Sequence, residues 1–340
     1  MSKIVVAVPM LDNQSGVYVH DTLINMGHKV AYFDWRHVTE QHGVKDMNMK
    51  FIEHIQRLNP DLLIIIKGLG ITGETIKQLR KVYKNPIVGW IFDVTLGGTP
   101  IKDVPQYVDF IKTLDKFYTI DADAIPELEK LGVNADWLSE GCDPEFHKEV
   151  VFNAIQRRKY GADIIFLGSI GTIHPHREEF LKRIYDEGFN LKIYGSVFYK
   201  SGEEPAWVKE CHCGFSAINN YHSLACQSGK IIIGIDGWPK RGKSWSARIY
   251  RTLCAGGFLL TNHTKDIEQY FQPGKYIDTY KDADELIDKI VYWLGEDDKR
   301  EEISKAGQKL VMDKHQFKHR LQRMLDESGA VDQDIYMETI

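Results

Sequence analysis

Short, continuously apolar segments alternate with amphipathic ones, and this pattern runs through the chain twice. In the first half "KIVVAVPM", "KVAYFDW", "PDLLIIIKG", "PIVGWIFD" and "KFYTID" read as strands, with a short one in "ADWLSEG". Between them "GVYVHDTLINMGH", "NMKFIEHIQRLN", "TGETIKQLRKVYKN", "VPQYVDFIKTLD" and "DAIPELEKLGV" read as helices. A strand that is apolar at successive positions has to be covered on both faces. Strands of that kind, separated by helices, predict a parallel sheet with helices on each side, a Rossmann-like α/β fold.

Residues 147–161 are polar and charged, break the pattern and are expected to be a linker. The alternation then restarts with the strands "ADIIFLGS", "NLKIYGS", "KIIIGID" and "FLLTN" and the helices "REEFLKRIYDEG" and "SARIYRTLCAGG". The stretch around "YHSLACQSG" looks less regular. "TKDIEQYF", "DADELIDKIVYWLGED" and "DKREEISKAGQKLVMDK" supply further helical material, and the final residues are expected to be loosely held. A chain of 340 residues exceeds what one core usually fills. The expectation is two Rossmann-like, doubly wound domains facing a cleft, over residues 1–150 and 160–310.

Composition excludes several classes. The net charge of −5 gives no global pull toward nucleic acid or anionic membrane. No apolar run reaches the roughly 18 residues of a membrane span. The first residues read as a strand rather than a signal peptide. Five scattered cysteines fit a reducing cytoplasm better than a disulfide framework. "CHC" at 211–213 invites a zinc reading, but no second ligand pair follows, and plain thiols beside a histidine are the alternative.

Ligands of open α/β sheets sit beyond the carboxyl ends of the strands. After the first strand, "PMLDNQSG" is polar but is not the dinucleotide fingerprint, and no P-loop sequence occurs anywhere. Dehydrogenase and kinase chemistry are therefore disfavoured. Asp93 ends "GWIFD" before a glycine-bearing loop, where a carboxylate could take a proton from a hydroxyl nucleophile or merely cap the loop. In "FLGSIGTIHPHRE", Gly168 and Ser169 follow a strand directly, and His174, His176 and Arg177 come next. Small residues let the backbone approach a ligand, and Arg177 could hold a phosphate or pair with Glu178 or Glu179. Tyr194 and Gly195 end the next strand, where the ring could stack on a base or sit in the core.

"GWPKRGKSWSARIYRT" gathers Lys240, Arg241, Lys243, Arg248 and Arg251 in an otherwise acidic chain. Ser244 or Ser246 is expected to cap the helix, with Trp245 between them. Arg248 then falls in the first turn, where a cation opposes the helix dipole unless an anion lies beside it. A bound phosphate and a solvated basic surface are the two readings.

Taken together, these residues resemble the glycosyltransferase group 1 C-terminal domain, in the branch typified by the spore maturation protein CgeB. The resemblance lies in "DIIFLGS", "HREEFLKRI", "NLKIYGS", "KIIIGID", "SARIYRTLCAGGFLLTN", "FQPGKYIDTYKDADELIDKIVYWLGEDDKREEISKAGQKLV" and "HQFKHRLQRML". It is looser in the first half, through "GWIFD", "YTID" and "LGVNADWLSEGCDPEFH". It implies a GT-B fold: an acceptor domain, a donor domain, and a final helix over 311–327 returning to the first domain. It implies a nucleotide-sugar donor held without metal, its diphosphate neutralised by Arg248, Arg177 and the Gly168–Ser169 loop. Members of the family usually carry glutamate where this chain has Arg251, and that glutamate holds the donor ribose. Arginine cannot accept those hydrogen bonds, so the departure bears on the donor's identity.

The expected protein is a cytoplasmic hexosyltransferase with no cofactor. It would use a UDP-sugar such as UDP-glucose and an acceptor that is a glycan, a protein, a small molecule or a modified DNA base. If the reaction inverts, Asp93 would be its base, and if it retains, Asp93 would position the acceptor, with Arg177, Lys243 and Arg248 on the leaving diphosphate. A nucleotide-sugar epimerase and a non-catalytic two-domain sugar-binding protein are the alternatives.

Overall fold

The computed structural model describes residues 1–10, 15–200 and 202–330; the polar loop after the first strand and the chain's last residues lie partly or wholly outside that range. The chain divides into two compact units. One comprises Met1–Glu140 together with the chain from Phe317 on, and the other is Gly141–Gln316.

The first unit is built on six parallel strands: β1 (Lys3–Ala7), β2 (Lys29–Phe33), β3 (Leu62–Ile66), β4 (Ile87–Ile91), β5 (Lys116–Thr119) and β6 (Ala135–Trp137). Their order is β2-β1-β3-β4-β5-β6. Every residue of β3 and β4 is buried, as continuous apolar strands require. The helix Trp35–Leu58 starts well before the expected "NMKFIEHIQRLN". Asp34 caps it by accepting from the His37 amide, and it bends at Gly43, whose φ of 79° only glycine adopts cheaply. Its first half buries only Trp35, so the sequence carries no helical stripe there. The helix Phe317–Ser328 belongs to this unit. Phe317 packs against Tyr18 and Trp90, Tyr118 Oη donates to Glu327, and Arg323 pairs with Asp136.

The second unit carries β7 (Ile164–Leu167), β8 (Leu191–Tyr194), β9 (Ile231–Gly234), β10 (Leu259–Asn262) and β11 (Asp278–Tyr280), all parallel, in the order β8-β7-β9-β10-β11. This repeats the order of the first five strands of the other sheet. Each sheet therefore has a point where winding reverses, between β1 and β3 and between β7 and β9, and such points are where doubly wound sheets open a ligand crevice.

Three expectations are corrected here. Residues 147–161 are no linker, because the boundary falls at Glu140/Gly141. His147 is buried against His222, and the helix Ala154–Tyr160, started by a capping box at Asn153 and Gln156, buries Tyr160. The polarity that suggested a linker belongs to that helix's outer face. The stretch around "YHSLACQSG" is a regular helix, Asn220–Ser228, and "TKDIEQYF" forms only the single turn Ile267–Gln269.

Candidate functional site

Within the second unit, the expected residues converge where β7 and β9 end. Phe166, the penultimate residue of β7, lies beneath two guanidinium groups: Arg248 at 5.1 Å and Arg177 at 5.8 Å from the ring centroid. Arg248 comes from the first turn of the helix Arg248–Cys254, and Arg177 from the first turn of the helix Pro175–Asp186. Backbone carbonyls fix both. Arg248 Nε donates to Leu167 O at 2.8 Å, and Arg177 Nη1 donates to Ser169 O at 2.8 Å.

The Gly168–Ser169 turn has to be bare for this to fit. A Cβ on Gly168 would lie 2.8 Å from Arg248 Nη2, and a Cβ on Gly195 would lie 1.9 Å from the Gly168 carbonyl. Any larger residue at either position collides with the turn that holds the arginines. That is the physical reason for glycine at both strand ends.

One carboxylate answers the two cations. Asp236, just past β9, lies 3.4 Å from Arg248 Nη1, with side chains only 9% and 10% exposed. Asp236 also accepts from the Ser246 amide at 3.2 Å, and Asn262 clamps its backbone from the end of β10. Burial depresses the pKa of both arginines, with Arg248 adding to the effect on Arg177 and Asp236 opposing it on each. Arg177 Nε and His176 Nε2 are buried without hydrogen-bond partners among the described residues. His174 is pushed down to about 4 by burial and the nearby cations, so it stays neutral near pH 7. Two desolvated guanidiniums, one resident carboxylate and two unsatisfied nitrogens form a place that can hold an oxyanion.

The remaining expected residues divide. Ser246 stands at the arginines, its Oγ 3.3 Å from Arg248 Nη1, but neither Ser244 nor Ser246 caps the helix: Ala247 occupies that position with no side-chain bond. The dipole argument for Arg248 is thus partly answered by Asp236. Arg177 pairs with neither Glu178 nor Glu179 and turns to Ser169 O instead. Tyr194 is a core residue, 2% exposed, its hydroxyl donating to Tyr160 O at 2.9 Å, so it presents no ring for stacking. Trp245 is likewise buried, with Nε1 donating to Tyr250 Oη at 2.7 Å. Lys243 holds its ammonium over the Tyr270 ring, 5.7 Å from the centroid.

Arg251 faces a different group. Burial, and after it the Arg251 charge, depresses the pKa of His147 and His222, whose rings meet edge to face at 5.7 Å. His222 is pushed down to about 3, chiefly by burial, and its Nδ1 lies 3.6 Å from Cys226 Sγ.

In the first unit, Asp93 follows β4 and pairs at 2.6 Å with Lys67, which follows β3. Both side chains are partly exposed. Lys67 takes a left-handed backbone conformation (φ 59°), held by its amide donating to Trp90 O and by Tyr107 Oη donating to its own carbonyl. Non-glycine residues take this conformation at a cost that clusters at functional positions. Asp236, Phe166 and Lys67 were not singled out in the sequence. The cue for Asp236 was present, since it ends "KIIIGID" as Asp93 ends "GWIFD". Among the described residues no group of three or more histidine, cysteine or acidic side chains could hold a metal ion, and the "CHC" thiols are packed: Cys211 is buried and Cys213 Sγ points to its carbonyl.

Residues 176–326 match the family model of glycosyl transferase-like proteins. No curated protein matches the chain in sequence. Sucrose-phosphate synthase from Thermosynechococcus elongatus superposes with a TM-score of 0.70 at 9% identity, covering 98% of this chain and 100% of that one. Anabaena HepE in complex with UDP-glucose gives 0.68 at 9% identity, covering 97% and 100%. An E. coli trehalose-6-phosphate protein bound with UDP-2-fluoro glucose gives 0.67 at 9% identity, again covering 97% and 100%. The fold is GT-B.

Proposed function

We propose that this chain of GT-B fold is a glycosyltransferase that moves a hexosyl group from a UDP-sugar, UDP-glucose first, to an acceptor hydroxyl. The observation that carries this reading is the pair of partly buried guanidiniums on Phe166 at the winding reversal of the second sheet. Arg177 and Arg248 hold the diphosphate and take up the charge that develops as the bond between the anomeric carbon and the diphosphate oxygen breaks. The fit is chemical as well as positional: a diphosphate supplies acceptors for Arg177 Nε and His176 Nε2, which otherwise stay unsatisfied. HepE, of the same fold, is known in complex with UDP-glucose.

In an inverting reaction Asp93 takes the acceptor proton as the oxygen attacks the anomeric carbon, and the Lys67 ammonium, 2.6 Å away, holds that carboxylate in place. The arginines supply the positive charge, so no metal is needed. The CgeB-like branch and a cytoplasmic setting belong to the same proposal. No helix of the described residues is long and apolar enough to cross a membrane.

Calorimetric titration with UDP, UDP-glucose and other nucleotide sugars tests the donor. Binding of UDP and UDP-glucose is expected, unchanged by a chelator, and failure to bind any nucleotide sugar overturns the proposal. Mass spectrometry of acceptor panels then reads the gain of one hexose, while an epimerised donor in the absence of acceptor would assign the chain to a different reaction.

A further inference from the structure

At the amino-terminal ends of β9 and β10, the opposite edge of the second sheet from the arginine pair, lies a cavity of about 210 Å³. Gly229 and Lys230, just before β9, and Gly256 and Phe258, just before β10, form part of its wall. Most of its charge is already settled. Lys230 pairs with Asp163 at 2.8 Å, Arg300 with Asp297, and Glu301 with Lys305.

Arg157 is the exception. It lines the cavity from the last turn of the helix Ala154–Tyr160, and among the described residues no carboxylate pairs with it. Its guanidinium lies over the Phe152 ring, 4.9 Å from the centroid, which orients the group without neutralising it. Two neutral donors on the same wall are also unsatisfied. Gln227 Nε2 and Ser228 Oγ are buried and find no hydrogen-bond partner among the described residues. The other end of Gln227 is engaged, its Oε1 accepting from the Val150 amide at 3.4 Å.

A guanidinium, an amide nitrogen and a hydroxyl around one small cavity offer donors and lack acceptors. The two buried donors would normally be satisfied, and an acceptor-rich ligand could serve them together with the exposed Arg157 guanidinium. We propose that this cavity binds a small oxyanion, a phosphate or a phosphate monoester, between Arg157, Gln227 and Ser228. The site is separate from the one assigned to the donor diphosphate, because Arg157 precedes β7 and Gln227 and Ser228 precede β9, whereas Arg177, Asp236 and Arg248 meet beyond the carboxyl ends of those two strands.

Equilibrium dialysis of the full chain with labelled inorganic phosphate, and in parallel with labelled glycerol phosphate, tests this in the absence and presence of saturating UDP. The expected result is one phosphate or ester bound per chain that UDP does not displace. Arg157→Ala should weaken it about tenfold or more, and Ser228→Ala should weaken it less. Arg157 is exposed, and a thermal melt of the Arg157→Ala protein confirms that it folds. Arg248→Met should leave this phosphate in place. No bound phosphate or ester, or binding that Arg157→Ala leaves intact, overturns the proposal. So does phosphate lost with Arg248→Met or on adding UDP, which would place it at the arginine pair. If UDP itself does not bind, the donor assignment fails, and the UDP-free comparison of wild type with Arg157→Ala still decides this one.

Discussion

The two sheets wind their first five strands in the same order and end them in opposite chemistry. In the second unit the strand ends bury charge: two guanidiniums over Phe166 with one carboxylate among them. In the first unit the strand ends present a half-exposed pair, Lys67 with Asp93. Topology therefore says where a site opens, and burial says what it can do there. Desolvated cations are built to hold a charged group, because their attraction for it is not screened by water. On the proposed reading, the half-exposed carboxylate tied to one lysine meets the acceptor hydroxyl and takes its proton.

That contrast breaks if the two sites answer to the same measurement. Asp93→Asn should lower kcat by about 10²- to 10⁴-fold, the usual contribution of a general base, while UDP affinity stays as it was. Arg248→Met should do the reverse in kind, weakening UDP by about 100-fold, in the range of about 2–5 kcal/mol for truncating a buried charge partner. Steady-state kinetics and calorimetry on both variants read the split. A loss of UDP affinity in Asp93→Asn with the fold intact would end the division of labour drawn here.

A smaller effect sharpens the same contrast through pH. In the second unit His222 is buried beside Arg251 and pushed down to about 3. In the first, the depressed histidines are His28 and His54, neither of them among its buried residues. Between about pH 6.5 and about 3 the unfolded chain binds a proton at His222 that the folded unit refuses, so stability falls as pH falls through that window. At pH 5 this amounts to about 2 kcal/mol for one such histidine. His222→Gln cannot titrate, and its melting temperature should drop less than that of wild type between pH 7 and pH 5. Equal drops would mean that another group carries the acid sensitivity.

The parts of the fold that were legible in the sequence are those set by local pattern. Continuous apolar runs gave away β3, β4, β7 and β9, and the charged first turn of "SARIYRT" pointed to Arg248. What escaped depends on residues distant in sequence. Asp236 reaches Arg248 only because β9 lies beside β7, and Lys67 reaches Asp93 only because β3 lies beside β4. The mistaken linker over 147–161 has the same origin: an exposed helix shows no stripe, and its one anchor, Tyr160, is a single residue. Strand-end position was also too coarse to separate Ser246, which touches the arginine, from Trp245 beside it, which faces Tyr250.

Tyr194 is the sharpest case of that last difficulty and carries the smallest expected effect. It ends β8 one residue before Gly195, where a ring turned outward could meet a nucleotide base. Instead the ring is buried against Phe215, and the hydroxyl donates to Tyr160 O. Tyr194→Phe keeps the ring and its packing, removes one hydrogen bond and leaves the Tyr160 carbonyl without that donor. The cost should be about 1 kcal/mol of stability, read from the urea midpoint at constant slope, with UDP affinity unchanged. If UDP weakened while the midpoint held, the hydroxyl would be contacting the donor. The boundary between site and core in the second unit would then have to move from Gly195 inward to Tyr194.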